Sequence, residues 1–560
     1  MFSRRDLARG GASLLGVALV ETACSAAPPD AVMLQLNQCG FLPRSPKRFV
    51  MTVAADDDQP RQFRIETLQG KSVFAGPIGG RVYDLTPTTG DHVRIGDFSA
   101  FTRPGRYRIR IGPAFSPPFE IGNAVYAPLV RDAARAFYLI RANIALDDPV
   151  TGLKHAAGHR SEASLPVNGI ARDLTGGWYN AGDYGKWTHM AAISASQMMW
   201  LYTLRLAPAR GLKLAVSQSF PGLCDLLQQA RWGLEWLLKM QNRDGSVLHK
   251  IDSNQLYAWG LPPEQDPHPR SAAPPSSADA AVFTGVMLQA SQVFAPLDHI
   301  FADRCRTAAL HGWDWLTKNP AVLRNDANYA DRDPRQEILW ATCAMAATFE
   351  DAALGERAAA GLREIGVHPF FWPTPQLLGA MSLARKESAS AAVARTTIIA
   401  AAIDIAARAG RDPYGFSADP NAYWWGSNEA ALDTAVLCLF AAELGGGQQL
   451  RHTAQRLLDY VLGCNALGLS FVTGHGSHCV ERPYHWTCRT WGIVMPGWAS
   501  GGANHLMAGA DPRLKAVIAR GTPPAKCFVD ACEDDGSWAS NEGQTSENAA
   551  LLLAAGLIGL

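Results

Sequence analysis

Residues 107–142 read YRIRIGPAFSPPFEIGNAVYAPLVRDAARAFYLIRA, and the hydrophobic period changes inside this stretch. Tyr107-Arg108-Ile109-Arg110-Ile111 alternates apolar and polar residues, as a half-buried strand does. Past Tyr126 the apolar residues fall at helical spacing. Pro128 suits the first turn of a helix, and residues 129–142 continue it. The switch near Tyr126 therefore divides the chain into a β part and an α part.

Working outward toward the N-terminus, residues 47–53, 62–68 and 92–95 are further short runs rich in Val, Ile and Phe. Turn residues such as Pro104-Gly105 separate the runs. Residues 33–122 are thus expected to form a small β-sandwich. Toward the C-terminus, residues 126–560 are expected to be mostly helical. The clearest periodic stretches are 191–204, 225–240, 278–293, 303–316, 336–350, 391–407, 430–444, 450–462 and 548–557. Loops rich in Gly, Pro, Trp and His separate them. The expected fold is mainly α, with about a dozen helices whose weak hairpin periodicity fits a toroid of paired helices.

The chain has 560 residues, with 51 Lys plus Arg balanced by 51 Asp plus Glu. A zero formal charge without a basic stripe excludes a nucleic-acid footprint. Hydrophobic residues make up 48% and include 16 Trp, enough for a large core and for rings to spare. Sugars present apolar C–H faces that stack on aromatic rings, so a carbohydrate cleft and a purely structural use of the Trp residues both stay open. Ser3-Arg4-Arg5-Asp6-Leu7, followed by an apolar run over residues 14–20, reads as a twin-arginine export signal over residues 1–28. Cleavage is expected among the small residues near 23–27, giving a periplasmic or extracellular protein. A lipid anchor on Cys24 is a further option, although Glu21 and Thr22 fit a lipoprotein box poorly. The apolar run is too short for a bilayer, and no later stretch reads as a span. Of 11 Cys, Cys343 and Cys438 read as core. Cys479, Cys488, Cys527 and Cys532 lie in loops, where an oxidising compartment is expected to bridge a pair. No C-x-x-C spacing points to a cysteine metal site.

Glycoside hydrolysis needs two carboxyl groups on opposite sides of the scissile bond, one to protonate the leaving oxygen and one to activate water or attack the sugar. Composition cannot choose among 51 acids, but context can. Gly176-Gly177-Trp178-Tyr179-Asn180-Ala181-Gly182-Asp183-Tyr184-Gly185-Lys186 is a Gly-rich aromatic loop with an acid just before a helix. By itself Asp183 reads equally as a helix cap. The loop resembles the W-Y-D-A-G-D-Y-G-K motif of glycoside hydrolase family 9, the inverting cellulase family. By that resemblance Asp183 matches the catalytic base and Asn180 stands where the family has a water-holding aspartate. Residues 524–530 (PAKCFVD) and Ser540-Asn541-Glu542, continued by Asn548-Ala549-Ala550, resemble the segment of the catalytic acid, which Glu542 matches. Lys239-Met240-Gln241 with Asp244-Gly245-Ser246, residues 423–428 (YWWGSN), and residues 463–474 fit in order. Pro483-Tyr484-His485 is similar to the family's P-H-H-R. Residues 37–43 (NQCGFLP) and Asp97-Phe98-Ser99 resemble the immunoglobulin-like domain that precedes many bacterial members.

The resemblance implies an (α/α)6 barrel catalytic domain over residues 126–560, behind an immunoglobulin-like sandwich over residues 33–122. It implies an inverting hydrolase of β-1,4-glucan with Asp183 as base and Glu542 as acid. Substrate contacts are expected from His485, Trp178, Tyr179, Trp424, Trp425, Arg489 and Glu547. Glu542 needs a raised pKa to stay protonated, and Asp183 is expected to stay ionised with help from Lys186. No cofactor is expected. Structural calcium is common in the family, but no ligands stand out here. The partner is a β-linked oligo- or polysaccharide, the expected state is a monomer, and no nucleic acid is involved. No binding module or dockerin-like tail follows the acid segment, which favours soluble chains.

Three positions depart from the pattern. Asn180 can orient water but cannot take a proton. Trp486 stands where an arginine often contacts substrate, with Arg489 near enough to replace it. Glu547 stands where an aromatic ring lies near the cleaved sugar; a cleft-facing carboxylate there would favour a cationic amino sugar. The alternatives are therefore an exo-acting glycosidase on short, amino-substituted oligosaccharides, or a sugar-binding protein that has lost catalysis.

Overall fold

The computed structural model describes residues 33–560, apart from 55–59, 81–86, 218, 255, 257, 325–328, 370–373 and 534–535. The twin-arginine segment and Cys24 lie outside the described residues.

The front of the chain is all β. One antiparallel sheet has the order β1 (Met33–Gln35), β2 (Arg48–Val53), β5 (His92–Asp97). The other runs β4 (Ser72–Pro77), β3 (Gln62–Thr67), β6 (Gly105–Ile111), β7 (Ala114–Phe115), and β8 (Phe119–Ile121) also pairs with β6. The register sets Ile65 opposite Ile109, so the alternation read in residues 107–111 turns its apolar members inward. Between the sheets, Phe41, Phe49, Phe63, Phe98 and Phe119 pack edge-on or tilted. The Phe49–Phe63 and Phe41–Phe98 ring centroids are 5.1 and 5.2 Å apart.

Twelve of the sixteen α-helices among the described residues build the barrel of the second domain. They are α1 (Ala127–Leu139), α2 (Thr188–Leu204), α3 (Asp225–Met240), α4 (Ser277–Phe294), α5 (His299–Lys318) and α6 (Arg335–Phe349). The set continues with α7 (Ala352–Ile365), α8 (Gln376–Ala384), α9 (Ala389–Ala409), α10 (Ser427–Glu443), α11 (Gln448–Val461) and α12 (Thr545–Gly559). The even-numbered helices form the inner ring: α2 packs on α4 and α12, α4 on α6, α6 on α8, and α10 on α12. These helices are apolar nearly all round and are buried almost throughout. Outer helices α1, α3, α7 and α11 carry one buried stripe and one polar face. This is an (α/α)6 barrel behind a β-sandwich, as the resemblance implied.

Among the described residues α9 alone is long and apolar enough to cross a membrane, by length and composition only. Its sequence is alanine-rich, and in the fold it packs on α7, α8 and α10.

Residues 37–38, part of the NQCG stretch, join the domains. Asn37 Nδ2 donates to Asp459 Oδ1 at 2.7 Å and to the Tyr126 hydroxyl at 3.0 Å. Gln38 Nε2 donates to the Gly468 carbonyl at 2.9 Å. Lys526 pairs with Asp91 at 2.6 Å, tying the sandwich to the start of the acid segment.

Candidate active site

The inner helices begin on one face of the barrel, and both catalytic candidates lie there. Asp183 sits five residues before α2, and Glu542 three residues before α12. The backbone N–H of Gly182 donates to Glu542 Oε1 at 2.9 Å, which brings the two loops together across 360 residues. A Cβ on Gly182 would lie 2.5 Å from the Tyr484 carbonyl and 2.9 Å from that carboxylate, so only glycine fits. Asp183 Oδ1 accepts from the Gly185 N–H at 2.9 Å, closing the turn into strand β9 (Lys186–Trp187).

Both carboxyls keep part of their surface open to the cleft yet sit deep enough for desolvation to dominate their titration. Desolvation, then the charge of Asp252, pushes Asp183 up to about 6. Desolvation, then the charge of Asp183, pushes Glu542 up to about 8, while Arg489 opposes that rise. Near neutral pH the first is ionised and the second protonated, which is the state a base and an acid need. A bell-shaped kcat/KM profile is expected. It rises with pH as the Asp183 carboxyl loses its proton near 6 and falls as the Glu542 carboxyl loses its own near 8. A flat profile from pH 5 to 9 would contradict this pairing.

Asn180 is buried. Its Oδ1 accepts from Thr545 Oγ1 at 2.6 Å, its Nδ2 donates to the Tyr329 hydroxyl at 3.4 Å, and its carbonyl accepts from the Thr545 N–H at 2.9 Å. It clamps the base loop to α12, and its side chain is turned toward Thr545 and Tyr329.

Several expected roles are corrected. Trp178 is 3% exposed, packed edge-on against Phe137 at 5.1 Å and against Gly233, inside the barrel wall. Tyr179 is fully buried with its hydroxyl 2.7 Å from His159 Nδ1. Neither ring lines the pocket; both are turned into the packed wall. Glu547 is 1% exposed on inner helix α12 and faces Glu429 and Asp433 in the barrel interior, not the cleft. Desolvation, then the charge of Glu429, raises its carboxyl well above the usual range, and its burial leaves it no surface toward a sugar. Lys186 is also fully buried and points away from Asp183. Its ammonium pairs with Glu162 and donates to the Leu174 and Gly176 carbonyls at 3.0 and 2.9 Å.

His485 is buried between Trp486 and Trp498, behind the pocket wall. Burial pushes its pKa down to about 3, so the ring is neutral; its Nδ1 accepts from the Thr487 N–H at 3.2 Å. Trp424 and Trp425 are half-buried, and Trp425 packs on the small cluster of Leu514, Cys527 and Ala539. Arg489 does line the cleft. Its guanidinium lies 4.4 Å over the Trp259 ring and 4.6 Å over the Tyr484 ring and donates to the Cys532 and Glu533 carbonyls. Among the loop cysteines, the Cys488 and Cys532 sulfurs approach to 3.3 Å as thiols.

A pocket at the cleft is lined by Asp183 with Tyr184, Asp252, Trp259, Arg270 and Trp486, besides Arg489. Sequence reading missed Asp252, Trp259 and Arg270, which lie in the long segment after α3 and carry no motif. Trp259 is 39% exposed, an open ring beside the acid pair. Arg270 holds the frame: Nε donates to Glu162 at 2.8 Å and Nη2 to the Tyr184 carbonyl at 2.6 Å. As for a metal, His189, Asp331 and Glu337 offer ligand atoms within 4.8 Å of one another. The Arg324 guanidinium lies among them and donates to Asp331 at 2.8 Å, so a protein cation already supplies the positive charge there.

Comparison with known proteins shows the family. Cellodextrinase of Butyrivibrio fibrisolvens is 28% identical over 530 residues, covering 88% of this chain and 94% of its own. Endoglucanase C of Cellulomonas fimi is 28% identical over 97% of this chain, which spans only 54% of that longer protein. The crystal structure of GH family 9 endoglucanase J30 superposes with a TM-score of 0.86 at 30% identity, covering 93% of this chain and 99% of the other. Residues 31–115 match the cellulase N-terminal ig-like domain, and residues 126–555 match the model of glycosyl hydrolase family 9. With that match over most of its length and both carboxyls converging at one barrel mouth, the chain belongs to glycosyl hydrolase family 9.

Proposed function

We propose that this protein is an inverting hydrolase of β-1,4-linked glucan in which Asp183 is the general base and Glu542 the general acid. The observation that carries the reading is the Gly182–Glu542 contact at 2.9 Å, which seats a carboxyl of raised pKa beside a carboxylate of lower pKa. A water on the Asp183 side attacks the anomeric carbon and gives a proton to Asp183, while Glu542 protonates the departing oxygen. Two proton transfers with opposite pKa requirements need this order of acidities. Trp259 offers an apolar face for a sugar ring, held in place by the Arg489 guanidinium. Soluble chains and short oligosaccharides are the proposed substrates, supported by a cellodextrinase among the relatives matched nearly end to end. The amino-sugar reading loses its basis, since Glu547 is buried among Glu429 and Asp433. Action outside the cytoplasm is proposed from Ser3-Arg4-Arg5 and the apolar run after it; N-terminal sequencing of the mature protein from a fractionated host tests this.

Proton NMR of a cello-oligosaccharide digest tests the stereochemistry. The α-anomer is expected first, followed by mutarotation. First appearance of the β-anomer would rule out the base assignment.

A further inference from the structure

The side chain of Asn180 accepts from Thr545 and donates to Tyr329, and as an amide it offers no charge to an attacking water. A second carboxylate nevertheless reaches the base from elsewhere. Strand β9 pairs antiparallel with β10 (Lys250–Asp252), with Lys186 opposite Ile251 and Trp187 opposite Lys250. Continuing that register by one residue sets Asp252 opposite Gly185, the residue whose N–H holds the Asp183 carboxylate. A Cβ at Gly185 would lie 2.8 Å from the Trp187 indole nitrogen and 3.2 Å from Asp183 Oδ1, so the absence of a side chain leaves the space between the strands open. Both acids line the same pocket.

The surroundings keep Asp252 in place as an acceptor. It is buried, Lys250 Nζ donates to Oδ2 at 3.2 Å, and the Ser253 N–H donates to Oδ1 at 2.7 Å. Each oxygen retains acceptor capacity beyond these bonds. The charged and titratable groups around the pair are Lys250, Arg270, Glu542 and Tyr329. The charge of Asp252 is the main electrostatic reason, after desolvation, that Asp183 is raised.

We propose that Asp252 is the water-holding carboxylate beside the base in this enzyme, supplying from β10 the negative charge that the amide of Asn180 lacks. The attacking water donates one hydrogen bond to Asp183 and the other to Asp252, which aims its lone pair at the anomeric carbon. As the C–O bond to water forms and the bond to the leaving oxygen breaks, one water proton passes to Asp183 and the Glu542 proton passes to the leaving oxygen. The second water proton stays as the hydroxyl of the new hemiacetal, so Asp252 orients and takes no net proton.

This rests on Asp183 being the base, and the test separates the two. kcat and KM on cellotetraose are measured across pH for wild type, Asp252→Asn, Asp252→Ser and Asp183→Asn, with a melting curve for each. Misplacing a reactant by about 1 Å costs on the order of 100-fold, so both Asp252 variants are expected to lose about 10- to 100-fold in kcat with KM nearly unchanged. Their acidic limb moves to lower pH, because Asp183 loses a neighbouring negative charge. Wild-type kcat with an unmoved limb in a folded Asp252→Asn, or a rise in KM alone, overturns the proposal. Near-wild-type kcat in Asp183→Asn instead overturns the base assignment.

Discussion

Glu542→Gln is expected to lower turnover on cello-oligosaccharides by about 10²–10⁴-fold, the usual contribution of a positioned proton donor. The amide oxygen can still accept from the Gly182 N–H, so the contact between the two loops survives and the fold is kept. What is lost is a proton held on this carboxyl near neutral pH by desolvation and by the charge of Asp183. The loss should therefore depend on the leaving group. An aryl glycoside whose phenol leaves readily needs little protonation and should be cleaved with a much smaller deficit than cellotetraose. The basic limb of the pH profile should vanish with the group that produced it. Equal losses on both substrates would point to a disturbed site, and near-wild-type turnover of the oligosaccharide would remove Glu542 from the acid role.

Asp183→Asn is expected to be at least as damaging and to show the opposite dependence on substrate. Asn can accept from the Gly185 N–H as Asp does, so the turn into β9 remains. It cannot take a proton from water, and that step is needed whatever the leaving group. Loss should be about 10²–10⁴-fold or more on oligosaccharide and activated aryl glycoside alike. A second consequence follows from electrostatics. The Asp183 charge raises Glu542, so its removal should lower the pKa of the remaining acid. A titration of Glu542 by NMR or infrared difference spectroscopy should show its midpoint below that of wild type. An unmoved midpoint would mean that the two groups do not share one cleft.

The local sequence determined a good deal of this protein. The period switch near Tyr126 was legible because strand and helix impose different spacings on buried residues, and α1 indeed begins at Ala127. The loops bearing Asp183 and Glu542 were legible because glycines and flanking helices surround them at recognisable spacing. The direction of each side chain in those loops was not. In an irregular loop no period assigns alternate residues to cleft and core, so Trp178, Tyr179 and Lys186 could be placed near the base but not turned away from it. Glu547 was misread for a related reason: it lies in the first turn of a helix whose inner-ring position buries every face, a fact set by the neighbouring helices α2 and α10. Asp252, Trp259 and Arg270 carry no local signature at all. They reach the cleft only because β10 pairs with β9 and the loop behind it folds over the pocket, contacts spanning 60 residues or more of chain. The acidities have the same origin. A carboxyl's pKa depends on the water and charges within a few ångströms, and those are assembled by segments hundreds of residues apart.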